Sequence, residues 1–310
     1  MTASDEPPVP DLALVGPTAI GKTEAAVELA RRLGAEIVSC DSTTVYRGMD
    51  IATAKPSHEH RAAVPHHLLD VAEPTETFSV ARFQSLAHAA LEDIAARERR
   101  SLLVGGSGLY YRAVADDLEF PGTDPGLRAL LEAEGAALGP EPLHRRLATF
   151  DPDAAAKIEP ANARRSVRAL EVAALTGRPF SSFAASWERF PDRGTRAAGV
   201  TMPSALLYPR IAARTRAQFE GGLLDEVRGL LERGAGPFLT SSQAIGYLEA
   251  MRHLDGGLTL DEAVERAVRR TKALSRRQMA WFRRDPRIRW FEADARGAAA
   301  LIDDLEGFFL

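Results

Sequence analysis

The sequence contains a single cysteine, Cys40, among 310 residues. One cysteine excludes an internal disulfide and any metal cluster built from several thiolates. No apolar run approaches the length needed to cross a bilayer. The acidic, proline-rich start Met1–Pro10 also lacks the basic and apolar parts of a secretory leader. We therefore expect a globular cytoplasmic protein without membrane association, and nothing indicates more than a monomer.

The chain also has little excess charge, with a net value of −4. This balance argues against a surface that binds nucleic acid everywhere, although a local basic patch is compatible with it. Because 45 % of the residues are apolar, the chain can bury a core large enough for one sizeable domain and a smaller one. The distribution of charge along the chain is therefore a better guide to nucleic-acid binding than the net charge.

Strand-like and helix-like patterns alternate through the first third of the chain. Short apolar runs predict three strands, at Leu12–Val15, Glu36–Cys40 and Leu102–Val104. Helical spacing of apolar residues appears between them, at Glu24–Leu33 and Ala81–Arg97. This alternation predicts an α/β fold with a doubly wound parallel sheet.

The residue composition changes from about Asp116, where prolines begin to separate segments rich in Ala, Leu, Arg and Glu. Since no strand pattern appears before about residue 198, we interpret residues 119–197 as an inserted all-helical domain. The core is then formed by residues 1–118 and 198–310. After the insertion the pattern predicts one strand and two long helices, at Gly199–Leu207, Ile211–Leu231 and Leu260–Phe282.

Between the first strand and the first helix the sequence reads GPTAIGKT, which fits the phosphate-binding pattern G-x-x-x-x-G-K-[ST]. In that pattern backbone N–H groups and the helix N-terminus surround phosphate oxygens, the lysine neutralises charge, and the last hydroxyl binds Mg²⁺. The motif predicts a P-loop NTPase-like core with Mg²⁺ at Thr23, but it does not reveal which phosphate compound binds. The predicted phosphate-binding residues are Gly16, Pro17, Thr18, Ala19, Ile20, Gly21, Lys22 and Thr23.

Two segments near the predicted sheet edge bear on the chemistry. Asp41 follows the second strand, so it should lie on the same side as the P-loop. It could be a general base, a partner of Mg²⁺, or a cap on the next turn. The third strand runs into Gly105–Tyr111, where many P-loop kinases place a metal-holding aspartate. The absence of that aspartate argues against ordinary phosphoryl transfer.

Basic residues concentrate on one predicted helix near the C-terminus, with few acids to balance them. This stripe is either a solvated face or a contact for a polyanion, and we favour the polyanion because the whole protein is acidic. A second basic group in the insertion places Arg164 and Arg168 on one helix face, beside Arg165. The C-terminal stripe comprises Arg266, Arg269, Arg270, Lys272, Arg276, Arg277, Arg283 and Arg284.

Together these segments resemble the tRNA dimethylallyltransferase (tRNA isopentenyltransferase) family. The similarity spans nearly the whole chain in the order GPTAIGKT, DSTTVYRGMDIATAKP, PHHLLD, LVGGSGLYYRA, RRSVRALEVAALTGRP, QAIGYLEA and RRTKALSRRQMAWFRRDPRI. It implies a P-loop core interrupted by a helical domain that contacts the tRNA anticodon stem-loop. The implied reaction moves a dimethylallyl group from dimethylallyl diphosphate to the exocyclic amine of the adenine 3′-adjacent to the anticodon, in tRNAs reading codons that begin with U.

The resemblance also implies roles for single residues. Asp41 would be the base that accepts a hydrogen bond from the acceptor amine, Ser107 would flank acceptor and leaving group, and Arg210 would clamp the diphosphate. The adenine would have to flip out of its stack to reach a buried donor. The residues implied to face the tRNA are Asp41, Ser42, Thr43, Thr44, Ser107, Arg128, Arg164, Arg165, Arg168, Gly246, Tyr247, Lys272, Arg276, Arg277 and Gln278.

The sequence departs from the family pattern at three positions. Thr44 stands where glutamine is usual, Ser107 where threonine is usual, and Asn162 where aspartate is usual. None of these changes removes a charged catalytic group from the core. Thr44 can still form a hydrogen bond, but it cannot hold an adenine edge through two bonds as glutamine does.

Other functions remain compatible with the residues alone. A small-molecule kinase would use the same P-loop with ATP and would leave the basic helix without a role. A related prenyltransferase would act on free adenine nucleotides and prefer AMP to tRNA. An RNA-binding module with a relic P-loop would bind tRNA without turnover.

Overall fold

The computed structural model describes residues 7–236 and 241–310, and the chain divides into two compact units. The core unit comprises residues 1–117 and 192–310, and the helical unit comprises residues 118–191. The predicted core domain includes two stretches outside the described residues, 1–6 and 237–240.

The core unit is built on a six-stranded sheet in which all the paired strands run parallel. Its strands are β1 (Leu12–Val15), β2 (Ala35–Cys40), β3 (His66–His67), β4 (Arg100–Gly105), β5 (Arg196–Thr201) and β6 (Ile288–Glu292). Their spatial order is β3-β2-β4-β1-β5-β6, so β1 pairs with β4 on one side and β5 on the other. The predicted α/β fold with a parallel sheet is confirmed.

Helices cover both faces of this sheet. In chain order the helices are α1 (Lys22–Leu33), α2 (His58–Ala63), α3 (Val80–Ala96), α4 (Gly108–Ala115), α5 (Pro125–Leu138), α6 (Pro140–Phe150), α7 (Pro152–Lys157), α8 (Ala163–Thr176), α9 (Phe180–Trp187), α10 (Ser204–Gln218), α11 (Leu224–Glu232), α12 (Tyr247–Leu254), α13 (Leu260–Phe282) and α14 (Ile302–Phe309). Leu12 and Leu14 belong to a core cluster with α1 and α14, whereas Ala13 and Val15 belong to one with α3 and α13. The alternation of side chains along a strand explains why β1 is apolar throughout.

The structure corrects two predictions after the insertion. The strand predicted at Gly199–Leu207 ends at Thr201, because Pro203 follows and Leu207 is buried at helical spacing from Ile211. The helix predicted at Ile211–Leu231 is broken into α10 and α11 by a π-helical segment in which Gly222 has φ +100°. The last strand, β6, was not predicted.

The helical unit contains α5 to α9, and its prolines mark where helices start. Pro125, Pro140 and Pro152 stand in the first turn of α5, α6 and α7, where a missing N–H costs nothing. Its core is formed by Leu131, Leu143, Leu147, Val167 and Leu170, among others. No helix among residues 7–236 and 241–310 is long and apolar enough to cross a membrane.

Candidate active site

The P-loop leaves the carboxyl end of β1 and enters α1. Gly16 has φ +151°, and a Cβ atom there would lie 2.4 Å from the carbonyl oxygen of Val200, so only glycine fits between β1 and β5. Within residues 7–236 and 241–310, no side chain caps the first backbone N–H groups of α1, which begins after Gly21. Those N–H groups and the helix dipole form a preformed anion site.

Lys22 folds back over this loop. Its Nζ donates hydrogen bonds to the carbonyl oxygens of Gly16 (2.9 Å) and Pro17 (2.8 Å). Burial lowers the pKa of Lys22 to about 8, although the nearby carboxylate of Asp41 opposes this shift. An anion bound at the loop would compensate for the hydration that burial removes, and would therefore stabilise the protonated amine.

A cavity of about 580 Å³ opens beside the P-loop, and we call it the P-loop cavity. It lies at the carboxyl ends of β2 and β4, the edge at which open α/β sheets bind ligands. Its far wall is polar, with Ser57, His60 and His66. The residues predicted to bind phosphate or to act on the acceptor that line it are Thr18, Ala19, Gly21, Lys22, Thr23, Asp41, Thr44 and Arg210.

A second cavity of about 260 Å³ adjoins the first, and we call it the Gly246 cavity. It is lined by Ser42, Thr43 and Gly246, together with part of α13. The two cavities share five lining residues, Thr18, Asp41, Thr53, Arg214 and Gln278. Asp41 therefore lies where a ligand in one cavity would meet a ligand in the other.

The carboxylate of Asp41 has one oxygen engaged and one available. Its Oδ1 accepts hydrogen bonds from the backbone N–H of Thr43 (2.8 Å) and from the Thr43 hydroxyl (2.7 Å). No other donor to Asp41 occurs within the described part of the chain. The turn-capping role considered from the sequence is thus present, and it leaves Oδ2 free to contact a ligand.

Two arginines of α10 face the P-loop. Arg210 donates from Nε to the carbonyl oxygen of Ala19 (3.1 Å), and Arg214 donates from Nη2 to the Thr18 hydroxyl (2.6 Å). Burial lowers the pKa of Arg214, and its Nε is buried without a hydrogen-bond partner. A buried donor without an acceptor is costly, so an anion in the P-loop cavity would satisfy it.

Arg210 was predicted from the sequence, whereas Arg214 was not. The available signal was their spacing, since residues four apart lie on the same face of a helix.

Gln278 links α13 to the P-loop. Its Oε1 accepts a hydrogen bond from the backbone N–H of Thr18 (2.9 Å). A Cβ atom at Gly106 would lie 2.3 Å from Gln278 Nε2, so glycine at that position makes room for this side chain. Gln278 was predicted only as a contact for RNA, and the structure also gives it a role in shaping the phosphate-binding loop.

Unlike Oδ2 of Asp41, the hydroxyl groups of Ser107 and Thr44 already have hydrogen-bond partners. The Ser107 hydroxyl accepts from the backbone N–H of Tyr110 (3.4 Å) and caps α4, and Ser107 does not line either of the two cavities. Thr44 is buried, and its hydroxyl lies 3.0 Å from that of Ser39. Thr44 lines the P-loop cavity but already has a hydrogen-bond partner.

The residues around Thr23 fit a magnesium ion held mainly by a bound ligand. Thr23 lines the P-loop cavity with Lys22 and Asp41. Across the described residues, no group of three His, Cys, Asp or Glu side chains could hold a metal by itself. Mg²⁺ at Thr23 would take its other ligands from phosphate oxygens and water, as this ion commonly does.

Some arginines of the basic stripe on α13 already pair with carboxylates. Arg270 and Arg266 lie 2.5 Å and 3.8 Å from the buried carboxylate of Glu249, and Arg269 pairs with Glu265. Arg276, Arg277, Arg283 and Arg284 are exposed, and no carboxylate of the described residues pairs with them. The unpaired positive charge therefore lies at the C-terminal end of α13.

Tyr247 requires a correction. It was predicted to face RNA, but its side chain is fully buried and its hydroxyl donates to Glu226. The ring belongs to the core cluster beneath α12, because a large aromatic side chain gains most from burial. Gly246, the residue before it, does line a cavity.

In the helical unit the predicted basic residues fall into two groups. Arg128 and Arg168 both pair with the buried carboxylate of Glu171, at 2.6 Å and 2.8 Å, so part of their charge is used within the unit. Arg164 and Arg165 are exposed. Asn162, one of the departures from the family pattern, caps α8 by accepting from the backbone N–H of Arg165, as aspartate would.

Comparison with known proteins gives a consistent result. The family model described as IPP transferase matches residues 44–285. The chain is 51% identical to a tRNA dimethylallyltransferase of Streptomyces coelicolor, over 93% of this chain and 92% of that protein.

Solved structures similar to this chain come from the same kind of protein. The full-length tRNA isopentenylpyrophosphate transferase of Bacillus halodurans is 41% identical, with a TM-score of 0.68 and 96% of each chain covered. A eukaryotic dimethylallyltransferase acting on tRNA has a TM-score of 0.74 over 92% of this chain and 74% of that chain. Its identity of 24% supports the fold alone.

Proposed function

The chain belongs to the IPP transferase family, and we propose that it transfers a dimethylallyl group from dimethylallyl diphosphate to tRNA. The acceptor is the exocyclic amine of the adenine 3′-adjacent to the anticodon, in tRNAs that read codons beginning with U. One observation carries this proposal: Asp41 lies where the P-loop cavity adjoins the Gly246 cavity. Donor and acceptor would meet at that carboxylate.

The diphosphate of the donor binds in the P-loop cavity. Backbone N–H groups at the start of α1, Lys22, Arg210 and Arg214 surround the position where negative charge grows as diphosphate departs. Donors held in fixed positions stabilise such charge more strongly than water does, because they need not reorganise as the charge develops. Mg²⁺ bound at Thr23 would neutralise further charge on the diphosphate.

The acceptor amine approaches Asp41 from the Gly246 cavity. A bond forms between the amine nitrogen and the allylic carbon, the carbon–oxygen bond to diphosphate breaks, and the amine loses a proton to Asp41. The Oδ2 atom has no donor among the described residues, so it is available for this step. The adenine leaves its stack to reach the cavity.

The tRNA lies along the exposed arginines of α13. Arg277 supplies positive charge at the Gly246 cavity, exposed Arg276 adjoins it in sequence, and Arg164 and Arg165 supply charge on the helical unit. Contacts of this kind bind phosphates without reading sequence. The helical unit is the part of the chain that contacts the anticodon stem. A monomeric state and a cytoplasmic location stay predictions.

One assay decides among the candidate functions. The purified protein is incubated with unmodified tRNA and dimethylallyl diphosphate, without nucleoside triphosphate, and nucleosides are analysed by mass spectrometry. We expect N6-(dimethylallyl)adenosine. Companion incubations test the alternatives: phosphorylation of a small molecule when ATP is added would favour a kinase, and faster prenylation of AMP than of tRNA would favour the nucleotide-specific transferase. Binding of tRNA without any product would favour an RNA-binding module.

A further inference from the structure

A third cavity, of about 430 Å³, lies against α13 and reaches the P-loop at Pro17, and we call it the Tyr208 cavity. Its volume falls within the range of about 300–1,000 Å³ typical of small-ligand pockets. The floor is apolar, with Met202, Leu207 and Met279, and the wall carries the Tyr208 ring. Arg276 and Arg283 also line it, and they outnumber its single carboxylate, Glu292. An apolar floor, an aromatic ring and two cations suit a nucleobase attached to phosphate.

The Tyr208 cavity and the Gly246 cavity lie on opposite faces of α13. An α-helix turns by about 100° per residue, so Leu274 and Gln278, which line the Gly246 cavity, share one face. Met279 and Arg283, which line the Tyr208 cavity, fall almost opposite. The helix therefore separates two pockets.

An exposed basic ridge runs between the two pockets. Arg276 and Arg277 are exposed and adjacent in sequence, and they line the Tyr208 cavity and the Gly246 cavity respectively. The described residues provide no carboxylate partner for either. A helix with its side chains is about 10–12 Å wide, a distance that a short stretch of RNA backbone can cross. Phosphates crossing this ridge would meet both arginines.

Two cationic side chains contact Tyr208. Lys272 Nζ lies 5.2 Å from the ring centroid, and the hydroxyl accepts a hydrogen bond from Arg276 Nη1 at 3.3 Å. Because Tyr208 lines the cavity, a base that enters the cavity can contact its ring. Contacts that restrain a ring before binding reduce the conformational entropy lost on stacking.

We propose that the Tyr208 cavity binds a second base of the tRNA, from a nucleotide close to the acceptor adenine in the anticodon loop. The backbone between the two bases crosses the ridge formed by Arg276 and Arg277. The two bases thus bind on opposite sides of α13 and fix the position of the anticodon loop on the protein. This inference rests on the proposed function, since it takes tRNA as the substrate.

The test uses a series of anticodon stem-loop hairpins, each lacking one base of the loop. Binding is measured by fluorescence anisotropy with wild-type protein and with Tyr208→Ala. At one position other than the acceptor, loss of the base should weaken binding to wild type about 10-fold, the usual effect of one stacked base. The same loss should have little effect on Tyr208→Ala, which already lacks the ring. Affinity for dimethylallyl diphosphate should not change.

Two further variants keep the test informative if Tyr208→Ala folds poorly. Tyr208→Phe retains the ring and should retain the sensitivity to the missing base. Met279→Trp fills the cavity and should abolish that sensitivity while Tyr208 is still present. Circular dichroism melting curves establish that each variant is folded.

Each outcome has a distinct meaning. If every missing base affects wild type and both cavity variants equally, the second base site is wrong even though the enzyme modifies tRNA. If wild type binds the hairpin but transfers no prenyl group, the proposed function is wrong. The binding measurements with the hairpin series still test the second base site in that case. If the hairpin does not bind at all, both are overturned.

Discussion

At the residue scale, Asp41 combines two roles that the sequence presented as alternatives. Its Oδ1 fixes the turn after β2 through Thr43, and its Oδ2 is free at the junction of two cavities. A carboxylate anchored through one oxygen presents the other in a defined direction. Anchoring of this kind reduces the reorganisation that proton transfer requires.

Substitution Asp41→Asn should separate these roles. Asparagine keeps an oxygen that can accept from Thr43, so the turn and the affinity for dimethylallyl diphosphate should persist. The rate of prenyl transfer at saturating substrates should fall at least about 100-fold, because the base is lost. Thr43→Val, which keeps the carboxylate, is the matched control and should retain most of the rate. A single-turnover rate for Asp41→Asn close to wild type would refute the base assignment.

Lys22 should make donor binding sensitive to alkaline pH. Burial lowers its pKa to about 8 in the free protein, and a bound diphosphate should raise that pKa by supplying negative charge. The ammonium is therefore present below pH 8, and above pH 8 binding must first take up a proton. Affinity for dimethylallyl diphosphate should decline as pH rises through about 8 and on towards 9.

Calorimetry in two buffers of different ionisation enthalpy measures this proton uptake directly. Lys22→Gln should bind the donor weakly at every pH and show no uptake. An affinity for wild type that stays constant across this range would show that Lys22 remains charged throughout.

At the scale of elements, α13 shows what periodicity can and cannot reveal. The predicted bounds Leu260–Phe282 match the helix, because its apolar and charged residues recur at helical spacing. The sequence could not show that Glu249, on another helix, pairs with Arg270. Such pairing is set by the fold, so the free basic surface is narrower than the stripe counted from the sequence.

Neutralising the free arginines should weaken tRNA binding in a way that depends on salt. The variant Arg276→Gln with Arg277→Gln should lower affinity and reduce the slope of log affinity against log salt by about 1 for each phosphate that the protein no longer neutralises. The matched control on the same helix is Arg266→Gln with Arg269→Gln, whose side chains already lie beside carboxylates. Equal losses of tRNA affinity from the two double variants would mean that α13 contributes only its total positive charge and not a specific phosphate contact.

The elements that sequence analysis missed have few apolar residues or a local break. In β6 only Ile288 is buried, and charged Arg289 and Glu292 interrupt the pattern expected of a buried strand. Strand β3 has only two residues, His66–His67. The break between α10 and α11 depends on the conformation of Gly222, which a run of helical spacing conceals.

At the scale of the whole molecule, the site combines local motifs with distant partners. The P-loop and Asp41 could be predicted because each follows a strand within a few residues. Gln278 meets Thr18 across 260 positions of the chain, and Arg214 reaches Thr18 across 196. Contacts of that separation leave no local pattern, so a single sequence does not reveal them without the fold.

The helical unit should have its own sensitivity to acid. Burial acts to raise the pKa of Glu171, but hydrogen bonds from Arg128 and Arg168 outweigh it, and the net shift is downward. A lowered pKa gives stability that is present above the unfolded pKa and is lost as pH falls through the folded one.

We expect Glu171→Gln to destabilise the unit at neutral pH by on the order of 1–2 kcal/mol, since the charged partners are partly exposed. Its denaturation midpoint should also change less than that of wild type between about pH 5 and 3. Urea titrations followed by far-ultraviolet circular dichroism measure both effects. Identical midpoints for variant and wild type at neutral pH would show that the Glu171 pairs contribute no net stability.

The place of β1 in the sheet has a consequence for biosynthesis. β1 lies between β4 and β5, and β5 is translated only after the whole helical unit. A nascent chain that has emerged as far as α9 therefore carries an apolar strand, LALV, with one edge unpaired. Open strand edges promote aggregation, so ribosome-bound chains of this length should depend on chaperones until Arg196–Thr201 emerges and pairs with the free edge of β1.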